Sequence, residues 1–217
     1  SIDQLLSDLE IRNILELSSG FSFRGLAMIK QKNIHYIDTD LPEIISLKKD
    51  LINELNEPQN GKGQLELLPL NALNEKQFIE TTNHFSEGEV AIVNEGLLMY
   101  LNKSEKENLC AIIRNTLKER GGCWITADIY VKLEALGITH LKFNDRLEQF
   151  LREHRIEENK FESFEDAESF FKKQGFIINK KAEPDVSRLT SLNNFLQSTT
   201  PEQIEQMRKA GSMQATW

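Results

Sequence analysis

Residues 89–129 read EVAIVNEGLLMYLNKSEKENLCAIIRNTLKERGGCWITADI, and the fold class is legible in them. Val90 to Asn94 is a short apolar run without polar alternation, as expected of a strand buried on both faces. Asn102 or Ser104 then offers an N-cap for a helix that runs to Arg120, and Gly121-Gly122 ends it. Cys123 to Ile129 resumes an extended pattern. Strand, long helix and strand in succession predict a parallel β-α-β unit.

The same alternation extends in both directions. Upstream, Asn13 to Leu17 is a strand followed by Ser18-Ser19-Gly20, a turn, with Ser22 as cap of a helix over residues 23–31. Ile34 to Ile37 is a second strand. Pro42 opens a helix reaching about residue 55, since the first turn has no use for its missing N–H. Residues 57–63 form a loop, Gln64 to Leu68 a third strand, and Asn74 caps a helix to residue 83. Downstream, residues 131–160 are charged and helical, with Phe143, Leu147, Phe150 and Leu151 at helix spacing. This segment reads as an insertion after strand five, and as a cover over the substrate side. A helix over residues 165–174, a sixth strand at Phe176 to Lys180, a turn at Glu183-Pro184-Asp185, two further helical pieces and a seventh strand at Ser212 to Trp217 complete a single domain over residues 1–217.

The chain has 217 residues, and 26 Lys and Arg against 34 Asp and Glu give a net charge of −8. That balance argues against a nucleic-acid partner, which is held by clustered basic side chains. Two cysteines, Cys110 and Cys123, make no disulfide framework and no zinc site of the usual spacing. The histidines at 35, 84, 140 and 154 share no metal-ligand spacing either. No apolar run approaches the ~18 residues of a membrane span, and no signal peptide opens the sequence. The expectation is a cytoplasmic protein with no membrane partner and no resident metal; the oligomeric state is left open.

In a parallel sheet, ligands bind beyond the carboxyl ends of the strands, where strand order reverses. The residues there are Glu16 to Gly20, Asp38 to Asp40, Leu70-Asn71, Glu95-Gly96 and Asp128. A small-residue turn followed about twenty residues later by a carboxylate suits a nucleoside, the carboxylate accepting from ribose hydroxyls. The turn has one glycine rather than the three of GxGxxG, which disfavours a pyrophosphate and favours a phosphate-free nucleoside. S-adenosylmethionine is one, and its sulfonium suits an acidic pocket. Ser19 lacks the GxSxG context of a hydrolase nucleophile.

Four stretches together resemble the leucine carboxyl methyltransferase family, a group of class I S-adenosylmethionine-dependent methyltransferases that includes polyketide O-methyltransferases. They are ILELSSGFSFRGLAM (14–28), HYIDTDLPEII (35–45) with Lys48 after it, VAIVNEGLLMYL (90–101) and GGCWITADIYVK (121–132). The resemblance implies an α/β, Rossmann-like, seven-stranded and mostly parallel sheet with helices on both faces and the last strand antiparallel. It implies that Glu16, Ser18 and Gly20 line the methionine part of the cofactor, Asp40 the ribose, Leu70 and Asn71 the adenine, and Glu95 the amino-acid end. Ser18 stands where the family usually has glycine, and Asn71 where Asp is common. Family members also carry an N-terminal helical segment that covers the cofactor, whereas about a dozen residues precede the first strand here. Either that segment lies outside this chain or another element takes its place.

The expected activity is O-methylation of a small molecule or a carboxylate, with no catalytic residue assigned. Arg24 either contacts the cofactor or pairs with an acid, and Tyr100 is either core or a substrate contact. Two alternatives from other classes are a non-catalytic module that keeps the methyltransferase fold and a nicotinamide-dependent oxidoreductase.

Overall fold

The computed structural model describes residues 2–55, 61–132 and 145–180. Five strands, β1 (Asn13–Leu17), β2 (His35–Asp40), β3 (Gln64–Pro69), β4 (Val90–Asn94) and β5 (Gly122–Thr126), form one sheet of order β3-β2-β1-β4-β5. Every pairing is parallel, with Leu15 opposite Ile37 on one side and Ile92 on the other. The chain leaves β1 toward β2 and β3, then returns to place β4 on the other side of β1. The strand order therefore reverses between β1 and β4, and a crevice opens at their carboxyl ends.

Period-2 alternation divides the strand residues between two cores. Ile14, Tyr36, Ala91, Val93 and Ile125 face α1 (Ile2–Ser7), α2 (Arg24–Gln31) and α3 (Pro42–Glu54). Leu15, Leu17, Ile37, Val90 and Ile92 face α4 (Glu75–Thr82), α5 (Lys103–Arg120) and α8 (Phe164–Lys173). Helix α5 begins with a capping box between Asn102 and Glu105 and ends at Gly121, which adopts φ 76°. Gly25 sits in α2 because a Cβ there would come within 2.6 Å of the Tyr36 ring, so α2 lies directly on β2.

Several boundaries differ from the sequence reading. Strand β2 continues to Asp40, because β3 pairs along its whole length up to Pro69, so Asp38 and Thr39 belong to the sheet. Helix α2 starts at Arg24; Ser22 Oγ accepts from Arg24 N at 3.3 Å but is not the N-cap. Helix α1, not anticipated, buries Ile2, Leu5 and Leu6. Among the described residues the sheet has five strands and not seven, and none is antiparallel. The predicted sixth strand, Phe176 to Lys180, is not paired into the sheet among the described residues. Phe176 packs its ring on Trp124 and Phe171, at 5.2 and 6.4 Å between centroids, which attaches the segment to β5 and α8 by side-chain contact. The predicted seventh strand and the pieces between 181 and 211 lie outside the described residues. Of the predicted insertion, residues 145–159 form helices α6 (Asp145–Glu153) and α7 (Ile156–Asn159), and residues 133–144 lie outside the description. No helix among the described residues is long and apolar enough to cross a membrane.

Candidate functional site

The crevice is built from four strand ends. The turn after β1 carries two residues in the left-handed region, Ser18 at φ 50° and Gly20 at φ 51°. A non-glycine residue keeps that conformation only where its surroundings hold it there, and here they do. Between them, Ser19 donates its backbone N–H to Thr39 O (2.9 Å) and accepts from Ser22 N (2.9 Å). Its hydroxyl donates to Asp38 Oδ1 and accepts from Lys48 Nζ at 2.9 Å. Lys48, wholly buried on α3, also donates to Asp38 Oδ2 at 2.6 Å. Burial pushes the Asp38 carboxyl up, and the Lys48 charge opposes the shift.

Asp40, the last residue of β2, is partly exposed. Its Oδ2 accepts Gly20 N–H and its Oδ1 accepts Leu41 N–H, both at 2.7 Å. Its carbonyl accepts Leu70 N–H at 2.8 Å, so the ends of β1, β2 and β3 are tied together through one residue. Leu70 is buried beside it, whereas Asn71 is exposed and turns its Oδ1 back to Leu73 N at 3.0 Å.

A second cluster lies under the turn. Glu16 is 2% exposed; its Oε2 accepts from the Tyr36 hydroxyl at 2.6 Å and its Oε1 from Arg24 Nη1. Arg24 Nη2 reaches across to Glu95 Oε2 at 3.0 Å, and Nε to Asp3 of α1 at 2.6 Å. One guanidinium thus joins α1, β1 and the turn after β4. Burial raises the Glu16 carboxyl, with Arg24 opposing, and the Tyr36 phenol is raised by burial and by Glu16. A cavity of about 470 Å³ opens beside Arg24, between α1 and α2. Glu95 itself is more than half exposed at the mouth.

On the far shoulder Asp128 is buried and takes up donors from the loop after β4. Leu97 N donates at 2.6 Å, Leu98 N at 2.9 Å and Asn94 Nδ2 at 2.5 Å, with Gly96 N as a fourth. Trp124 Nε1 donates to Asn94 Oδ1 at 2.6 Å, which extends this network into β5. Burial raises the Asp128 carboxyl in spite of these donors. Outside the crevice proper, Tyr100 is 40% exposed and its ring meets Phe150 and His154 of the α6–α7 region.

Of the residues singled out from sequence, Gly20, Asp40 and Leu70 are directly connected, and Glu16 and Glu95 are joined through Arg24. Ser18 contributes its backbone shape, and Asn71 stands apart at the rim. Asp38, placed among the crevice residues by its position at the end of the second strand, is half of a buried ion pair. The roles of Lys48 and Tyr36 were missed. Lys48 carried a readable signal, since Ile45, Lys48 and Ile52 share the buried face of α3 at helix spacing.

The leucine carboxyl methyltransferase profile matches residues 2–114, just over half of the chain. The chain belongs to the leucine carboxyl methyltransferase family. The family's match takes in the turn after β1, the end of β2, the turn after β4 and most of α5. No curated protein matches the sequence. Among solved structures, the cyclopropane synthase MmaA2 of Mycobacterium tuberculosis is similar over 98% of this chain and 74% of its own, at 15% identity and a TM-score of 0.56. A protein of Nostoc punctiforme assigned as a candidate O-methyltransferase is similar over 85% of this chain and 51% of its own, at 13% identity and a TM-score of 0.53. PigF with SAH is similar over 82% and 50%, at 11% identity and a TM-score of 0.51. At such identities the likeness is one of fold. The chain spans about half the length of the last two.

Proposed function

We propose that the protein is an S-adenosylmethionine-dependent O-methyltransferase acting on a small molecule or a carboxylate. The observation that carries this reading is what the turn after β1 presents to a ligand. Three of its amides are spent on protein acceptors: Ser19 N on Thr39, Gly20 N on Asp40, Ser22 N on Ser19. A pyrophosphate needs such N–H groups free, so the turn does not suit a dinucleotide. What remains on offer is the Asp40 carboxylate, each of whose oxygens has accepted one bond and can accept another. That is the donor–acceptor pattern for a ribose diol without phosphates. Family membership supports the same cofactor, as do neighbours of like fold solved with S-adenosylmethionine or its product S-adenosylhomocysteine.

In this reading Asp40 holds the ribose, Leu70 packs against the adenine and Asn71 borders it. Ser18 and Gly20 shape the wall along the methionine part, and Glu16 orients Arg24. Arg24 and Glu95 face the amino-acid end, a cation for its carboxylate and an anion for its ammonium. The bound cofactor supplies an electrophilic methyl group for in-line displacement by the acceptor oxygen. The chain itself supplies proximity, alignment and exclusion of water. A carboxylate acceptor is already ionised at neutral pH and asks for no general base, whereas a hydroxyl would.

Calorimetric titration with S-adenosylmethionine, S-adenosylhomocysteine and NAD tests this. The expected result is binding of the first two, with a rise in melting temperature as for any ligand selective for the native state. Binding of NAD alone would replace the methyltransferase reading with an oxidoreductase.

A further inference from the structure

We infer that Lys48 and Asp38 are positioning residues for cofactor binding, acting through Ser19 on the shape of the Ser18–Gly20 turn. This rests on the function proposed above, since it concerns how that ligand's pocket is held.

Three side chains form a closed ring in which every polar role is determined. Lys48 Nζ can only donate, and it donates to Asp38 Oδ2 and to Ser19 Oγ. The Ser19 hydroxyl, having accepted from Lys48, donates its own hydrogen to Asp38 Oδ1. Lys48 is fully buried and Asp38 is 1% exposed. A buried ion pair is a poor source of stability, because desolvation of two charges offsets their attraction and apolar residues of like size serve as well. Its geometric effect is specific. Ser19 is the residue between two left-handed ones, and its hydroxyl is its only side-chain means of attachment to the sheet beneath. With Ser19 fixed, Gly20 N–H points at Asp40 Oδ2, and that bond in turn aims the carboxylate. The buried ring thus reaches the ligand in two steps, neither of which brings Lys48 into contact with it.

The test compares wild type, Ser19→Ala, Lys48→Met and the double variant, with two readouts. The first is the S-adenosylhomocysteine dissociation constant. Ser19→Ala removes the link and keeps the ion pair, and it weakens binding about tenfold with little change in melting temperature. Lys48→Met weakens binding at least as much, and the double variant binds no worse than Lys48→Met, the non-additivity expected of residues acting along one path. The second readout is amide hydrogen exchange at Ser19 and Gly20 in the ligand-free protein, which is faster in all three variants. Unchanged affinity in Ser19→Ala, losses that multiply in the double variant, or unchanged exchange at both amides would overturn the inference. If Lys48→Met does not fold, Ser19→Ala decides by itself. If wild type does not take up S-adenosylhomocysteine, the proposed function falls, and exchange at Ser19 and Gly20 alone decides whether the ring sets the turn.

Discussion

Asp38 and Asp128 are buried on opposite shoulders of one crevice, and they are compensated in opposite ways. Asp38 faces a cation and a hydroxyl, both on side chains; Asp128 faces three backbone N–H groups and a side-chain amide, with no cation beside it among the described residues. Both carboxyls are pushed up by burial, against Lys48 in one case and the amides in the other. The difference matters for the loops they serve. Asp128 grips the backbone of residues 96–98 directly, so the turn after β4 is fixed as one piece. Asp38 grips Ser19 through a single hydroxyl, so beside its backbone bonds to Thr39 and Asp40 the turn after β1 has one side-chain link to the buried ion pair.

The largest expected effect comes from breaking the Asp128 side. Asp128→Ala leaves three N–H groups and the Asn94 amide without an acceptor, and it should cost about 4 kcal/mol in chemical denaturation at pH 7. A loss under about 1 kcal/mol would mean that the loop satisfies its amides another way. Lys48→Met should cost less, about 2–3 kcal/mol, because the abandoned Asp38 can neutralise itself by taking a proton. That escape has a sign. With Asp38 raised further in the folded state, the variant's deficit grows as pH rises above the unfolded value of about 3.9 and shrinks as pH falls toward it. A deficit independent of pH between 4 and 7 would contradict this account.

Next in size is Asp40→Ala, which leaves both buried carboxylates intact. It should weaken S-adenosylhomocysteine binding by about 1.5–3 kcal/mol, ten- to a hundredfold by titration, with little loss of melting temperature. Asp38→Ala should lower melting temperature as well as affinity, and equal thermal effects would erase the distinction between ligand contact and support. The smallest effect is at the opposite end of the sheet. Glu66 accepts from His35 at 2.6 Å and His84 at 2.8 Å; burial would raise its carboxyl, but these two hydrogen bonds prevail and hold it below its usual value. A lowered carboxyl contributes stability above its unfolded value that is lost as pH falls through the folded one. Glu66→Gln should therefore flatten the acid limb of the stability profile below about pH 4.5 by less than about 1 kcal/mol, as for other half-exposed pairs.

What the sequence disclosed was local. Val90 to Asn94, the Asn102 cap, Pro42 at the head of α3 and Gly121 at the end of α5 each state their element within a few residues. The turn glycine and Asp40 were legible for the same reason, since both lie at the ends of recognisable strands. The polar pairings were not. Tyr36 with Glu16, Lys48 with Asp38 and Asp128 with the loop after β4 join residues 10 to 32 positions apart. Pairing of β1 with β2 brings Tyr36 to Glu16, and packing of α3 on the sheet brings Lys48 to Asp38. Phe176 to Lys180 misled because Phe176-Ile177-Ile178 is an apolar, β-branched run like that of a strand, while the Phe176 ring packs on Trp124 and Phe171 and the segment has no backbone pairing in the sheet among the described residues.

Trp124 gives the molecule an optical readout of its own. The sequence holds two tryptophans, and replacing Trp217 with Phe leaves the indole at 124 as the sole emitter under red-edge excitation. That indole is bonded to Asn94, Asn94 to Asp128, and Asp128 to the amides of the loop that carries Glu95 into the crevice. Movement of this loop alters the polarity sensed by the indole, so emission wavelength and lifetime follow events at the mouth without any attached dye.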